Sequence, residues 1–159
     1  PSVRNEVIEA LADAGIDRQR LTLLGRTESP REHLDSYRGV DLCLDSYPYN
    51  GTTTNCDSFI MGVPVLTMTG TRHASRVSTS QLHTLDLDEL IAADREQYVA
   101  IAVRLASDPK VLNSIRRDIS DRLPGSALMN YRGFTRQLES SYRDIWRAWC
   151  ADAPVGQTD

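Results

Sequence analysis

The segment Asp45-Ser46-Tyr47-Pro48-Tyr49-Asn50-Gly51-Thr52-Thr53-Thr54-Asn55-Cys56-Asp57 carries the side chains best suited to chemistry. A short apolar run, Val40 to Leu44, precedes it and reads as a buried strand, while Asp57 to Met61 reads as amphipathic helix. A strand that ends in a Gly/Thr turn and opens into a helix offers unpaired N–H groups and the positive end of a helix dipole. Such a place suits an anion, phosphate above all. The threonine hydroxyls can cap the helix or add donors. An ordinary N-cap after a hairpin-like bend has the same local sequence, so the turn by itself leaves both readings open.

Other reactive side chains are few. His33 lies on a short helical stretch, where a solvated position is the simpler reading. His73 and Arg76 flank a loop at the same edge; Arg76 can reach a bound phosphate or pair with a nearby carboxylate. His83 falls mid-helix with no evident partner, which places it at the surface. No Ser/His/Asp order, nucleophile elbow or Walker loop occurs. Cys43, Cys56 and Cys150 are scattered and odd in number, and no Cys/His spacing suits a metal. Reduced thiols are expected, with Cys43 and Cys56 in buried elements.

The elements that would position these groups follow from periodicity. Val3 to Ala14 repeats apolar residues at a helical period and stops at Gly15. Arg20 to Gly25 reads as a short strand. Ser29-Pro30-Arg31-Glu32 has a serine cap, a first-turn proline and a capping-box glutamate, predicting a helix from Pro30 to about Arg38. Val40 to Leu44 is the next strand, and the helix after the threonines ends at Gly62. Val63 to Thr67 is a strand, 75–85 a helix, and 88–93 a short element read as a final strand. Helices are then expected over 95–107, 109–122 and 131–150. Short apolar strands alternating with helices predict an α/β, Rossmann-like parallel sheet with helices on both faces. Ligands of such sheets bind off the carboxyl ends of the strands. The threonine turn, the loop 24–29 and the loop 69–73 are all expected at that edge.

The chain has 159 residues, 40% of them hydrophobic and 25% charged, as in ordinary globular proteins. A net charge of −4 gives no support to a nucleic-acid binder, and no apolar run is long enough to span a bilayer. Residues 1–109 carry net −6 and residues 110–147 net +4, nearly all of the latter arginine on helical sequence. Solvated helix faces are the simpler reading of that basic stretch, and a docking surface for an acidic partner the sharper one. The first residue is Pro1, and the chain is expected to be a piece of a longer, cytoplasmic protein.

Asp41-Leu42-Cys43-Leu44-Asp45, the turn Tyr49 to Thr54, Asp57, Gly62-Val63-Pro64-Val65-Leu66-Thr67 and Ala74-Ser75-Arg76-Val77 follow one another in order. In that series the chain resembles the catalytic region of O-linked N-acetylglucosamine transferases and their Spindly-like bacterial relatives, from about Asp17 to about Trp149. The resemblance implies most of the C-terminal, donor-binding half of a GT-B type glycosyltransferase, with residues 1–150 as the nucleotide-sugar-binding part. It further implies tetratricopeptide repeats and an acceptor-facing half elsewhere in the longer protein. Thr53 and Thr54 match the pair that contacts the donor diphosphate and would assist its departure. Asp57 matches the residue that bonds the ribose, and His33 one that packs near base and ribose. Arg31 stands where many relatives have lysine, and Ser29 would lie against the base edge. Thr52 replaces a histidine of animal members, which puts a side-chain contact there in doubt.

The expected function is that of an inverting transferase moving a sugar from a UDP-sugar, by default UDP-N-acetylglucosamine, to Ser/Thr hydroxyls of a protein. Some relatives use a GDP-sugar instead. The donor is a substrate, and neither cofactor nor metal is expected. The isolated chain is expected to bind nucleotide weakly and to transfer nothing. The alternative is a non-catalytic α/β interaction or regulatory module that has kept the fold.

Phe134, Leu138, Tyr142, Ile145 and Trp149, widened by Trp146 and Tyr131, form an apolar stripe on the last helix. It either packs wholly on its own sheet or is left exposed, docking on the other half or in a homo-oligomer. Residues 151–159 are expected to be a disordered tail.

Overall fold

The computed structural model describes residues 3–152. Two compact units make up the chain, Pro1–Asp35 and Ser36–Asp159.

The first unit opens with α1 (Val3–Asp13). Gly15 ends it at a φ of +83°, a conformation that costs glycine little, with its N–H on Ala12 O at 2.8 Å. Asp17 accepts the Gln19 N–H at 2.9 Å and caps a 3₁₀ turn over Arg18–Arg20. The strand expected from Arg20 to Gly25 does not form. Among the described residues its unit holds no strand to pair with; Leu23 O instead accepts from Arg4 Nη2 at 2.6 Å and Leu24 is exposed. Then α2 (Pro30–Ser36) starts as its sequence predicts. Ser29 Oγ accepts the Glu32 N–H at 3.2 Å, and the Glu32 carboxylate reaches back one residue further than a capping box requires, to the Glu28 N–H at 2.8 Å.

The second unit begins with a 3₁₀ turn, Tyr37–Gly39, and continues through β1 (Cys43–Leu44), α3 (Thr53–Ile60), β2 (Val65–Met68), α4 (Val77–Thr84) and β3 (Ile91–Ala92). Its last helices are α5 (Arg95–Ser107), α6 (Pro109–Arg122) and α7 (Tyr131–Asp152). The sheet order is β1-β2-β3, all parallel, with Cys43 opposite Val65 and Thr67 opposite Ile91. Helices pack on both sides of it, the α/β arrangement expected. The strands are shorter than their apolar runs. Val40 N–H closes back on Tyr37 O at 3.0 Å, and Val40 O is taken by the Arg116 guanidinium, so the start of that run cannot join the ladder. Residues 88–90 likewise wind into a 3₁₀ turn before β3.

One cluster forms the core: Phe59 from α3, Val65 from β2, Leu82 from α4, Leu105 from α5, and Leu112, Ile115 and Ile119 from α6, with Leu85, Leu87, Leu90 and Leu123 from the connections. Asp94 caps α5 through the Gln97 N–H at 2.8 Å. Asp108 caps α6 through Lys110 at 2.9 Å, with Pro109 in the first turn. Two arginines of the basic stretch are not mere solvated charges: Arg122 donates to Leu85 O at 3.0 Å, and Arg116 holds Val40 O and Gly62 O.

The apolar stripe of α7 is exposed, from Phe134 (66%) to Trp149 (62%), so complete burial on the sheet is not what happens. The helix runs two residues past Cys150, to Asp152. The rest of the expected tail, 153–159, lies outside the described residues. All three cysteines are free; Cys43 and Cys56 are half-buried rather than core, and Cys150 is exposed.

Candidate functional site: a threonine turn at the start of α3

The turn between β1 and α3 is built from its carboxylate outward. Asp45 Oδ1 accepts the Gly51 N–H at 2.8 Å, and Oδ2 accepts the Thr67 hydroxyl at 2.7 Å. Asn50 is buried beneath the turn: its N–H donates to Ala74 O at 2.9 Å and its amide to Ser46 O at 3.0 Å. Gly51 has no room for a side chain, since a Cβ would lie 2.5 Å from Asn55 Oδ1 and 2.7 Å from Thr54 Oγ1. The polar turn is thus tied to β1, β2 and the segment before α4.

Thr52, Thr53 and Thr54 follow in the open, all exposed. Thr52 occupies the N-cap position but makes no side-chain cap bond, so its hydroxyl does not cap the helix. Among the described residues, no protein acceptor takes the N–H of Thr52, Thr53 or Thr54; the first paired amide is Cys56, on Thr52 O at 3.2 Å. Three threonines with open amides at a helix start can hold an oxyanion. Asp57 is half-buried one turn on, close enough to raise both the Cys56 thiol and the Tyr37 phenol, although burial is the larger cause for each. Tyr37 OH donates to Thr54 O at 3.1 Å and braces the same turn.

Ser29, Arg31 and His33 belong to the first unit. Ser29 spends its hydroxyl on the cap of α2, His33 is half-buried, and exposed Arg31 faces Asp35 at 3.8 Å. Arg76 and His73 are exposed and line an open concavity of about 840 Å³ along α4, with Thr71, Val77 and Thr79. Thr52, Thr53 and Thr54 do not line it; contact with their turn runs through Gln81, which lines the concavity and holds Thr52 O. His83 is exposed as expected, but it has a partner, Asp88, at 2.5 Å. Asp45, Asn55, Ser78, Gln81 and Tyr37 were not singled out for the site from the sequence. Only Asp45, five residues ahead of the Asn50-Gly51 bend, carried a local signal.

The family model for glycosyl transferase family 41 matches residues 1–138. The chain belongs to that family. Among family 41 relatives, a probable UDP-N-acetylglucosamine–peptide N-acetylglucosaminyltransferase SPINDLY of Solanum lycopersicum is 40% identical over 96% of this chain. The SPINDLY protein of Arabidopsis thaliana is 38% identical over 94%. The peptide N-acetylglucosaminyltransferase of Caenorhabditis elegans is 32% identical over 90% of this chain and 12% of its own length. This chain spans only 16% of either SPINDLY protein. A solved mutant O-GlcNAc transferase of Thermobaculum terrenum superposes with a TM-score of 0.86 at 33% identity, over 94% of this chain and 29% of that one. This chain is accordingly part of a glycosyltransferase fold. Among the described residues no helix is long and apolar enough to cross a membrane, and no group of three or more His, Cys, Asp or Glu could hold a metal.

Proposed function

We propose that this chain is the donor-nucleotide-binding part of an inverting, cytoplasmic transferase that moves N-acetylglucosamine from its UDP-sugar to Ser/Thr hydroxyls of proteins. The observation that carries the reading is the row of exposed, unpaired amides at Thr52, Thr53 and Thr54. A diphosphate seated there would be met by fixed N–H dipoles and by the threonine hydroxyls. Negative charge grows on the leaving diphosphate as the sugar departs, and dipoles already in place stabilise it without reorganising. Asp57, one helical turn further, would accept ribose hydroxyls; a shielded bond of that kind contributes about 1.5–3 kcal/mol. Arg76 would add a further phosphate contact.

An inverting transfer needs acceptor activation and leaving-group stabilisation, and no enzyme nucleophile. The first task falls to residues outside this chain, as does recognition of the protein acceptor through helical repeats. No metal takes part in the proposed step: the leaving-group charge goes to backbone amides. The isolated chain should therefore bind UDP weakly and turn over nothing.

Calorimetric titration with UDP tests this, first on the isolated chain and then on the full-length protein. Weaker binding in Asp57→Ala and Thr53→Val supports the donor site. Failure of the full-length protein to bind UDP would instead identify a non-catalytic module on the same fold.

A further inference from the structure

Two carbonyls at the head of α3 are held by side chains rather than left to solvent. Gly51 O accepts from Asn55 Nδ2 at 2.9 Å and from Ser78 Oγ at 3.2 Å, and Asn55 Nδ2 also reaches Ser78 Oγ at 2.7 Å. Thr52 O accepts from Gln81 Nε2 at 3.1 Å as well as from the Cys56 N–H. These three side chains are almost wholly buried, with Ser78 at 0%, Asn55 at 5% and Gln81 at 7% exposure. Among the described residues only Tyr47–Pro48 is cis, so the Gly51–Thr52 and Thr52–Thr53 peptides are trans.

In a trans peptide the C=O and the following N–H point in opposite directions within one plane. Holding Gly51 O inward therefore turns the Thr52 N–H outward. Holding Thr52 O inward does the same for the Thr53 N–H. We propose that Ser78 and Gln81 of α4, with Asn55, are positioning residues that lock these two peptide planes, so that the Thr52 and Thr53 amides stand ready as an anion-binding pair. Thr52 then contributes through its backbone, whatever its side chain does. The inference rests on the donor-site reading and says which buried groups keep that site in shape. Without the lock, each peptide can rotate and offer a carbonyl to the anion, and the ordering would have to be supplied on binding.

The test uses the ¹⁵N-labelled chain and its Ser78→Ala, Gln81→Ala and Gln81→Glu variants. Inorganic diphosphate is titrated while the Thr52 and Thr53 amide resonances are followed, and affinities for UDP and for uridine are measured side by side. In the unaltered chain both amides should move with diphosphate. Each variant should bind UDP about three- to tenfold more weakly, the range set by losing one net hydrogen bond, with uridine affinity unchanged. A merely structural role would lower both affinities together. Gln81→Glu keeps the side-chain volume and serves if an alanine variant does not fold. Variants that bind UDP as the unaltered chain does would overturn the positioning role alone, as would a proportional loss of uridine or unmoved Thr52 and Thr53 amides on diphosphate binding. An unaltered chain and full-length protein that bind neither UDP nor diphosphate would remove the donor site and this inference with it.

Discussion

Asp45 Oδ1 and the Gly51 N–H lie 2.8 Å apart, closing the polar turn on the end of β1. The other carboxylate oxygen takes the hydroxyl of Thr67, which is 0% exposed. Asp45→Ala strips both donors of their acceptor in one step. The expected destabilisation is about 1–3 kcal/mol, the usual cost of leaving buried polar groups unpaired. Urea unfolding of the variant measures it, and an unchanged midpoint would show that the turn stands without this brace.

Gly51→Ala addresses the same turn from the other side. The added Cβ would meet Asn55 Oδ1 at 2.5 Å, so the Asn55 amide has to rotate away from Gly51 O and Ser78. Overpacking of that sort costs about 1–3 kcal/mol. UDP binding should be lost together with the stability, by calorimetry and thermal melting. Full UDP affinity in a folded Gly51→Ala chain contradicts the tight approach seen here.

Alkaline pH should unfold this protein more readily than its composition suggests. Burial raises Tyr37, Cys56 and Tyr98, and the Asp57 or Asp45 carboxylates add to the rise. A raised folded value means that the native state holds these protons more tightly than the unfolded chain does. Their stabilisation is whole below about pH 8, before unfolded cysteine begins to ionise, and is lost as pH climbs through the raised values. Urea midpoints between pH 8 and pH 11 should fall monotonically, and Tyr98→Phe should flatten the fall. A midpoint that rises across that window has the wrong sign.

The two tryptophans of α7 stack at 5.1 Å between ring centroids, yet each stays 62% exposed. Acrylamide should therefore quench most of the fluorescence of the isolated chain, with a red-shifted emission maximum typical of wet indole. Blue-shifted, unquenched emission from a monomer would mean that the stripe finds cover within the chain.

The first two helices were legible because their signals are local: Gly15 and Ser29 with Glu32 mark their ends by capping chemistry alone. The parallel sheet followed from apolar runs alternating with helices. Its strand lengths did not, because a ladder needs a neighbour. Leu21 to Leu24 has the composition of a strand and no partner, and Val40 is claimed by Tyr37 and Arg116 before it can pair.

For the candidate site the sequence by itself determined the groups: a glycine that can turn tightly, three threonines, and an acceptor aspartate one helical turn later. Only the tertiary structure decided which way the peptide planes face. That orientation depends on Ser78 and Gln81, more than twenty residues downstream of the turn they hold. Hydrogen bonds across that separation leave no periodicity in the chain, since they exist only once α3 and α4 lie side by side.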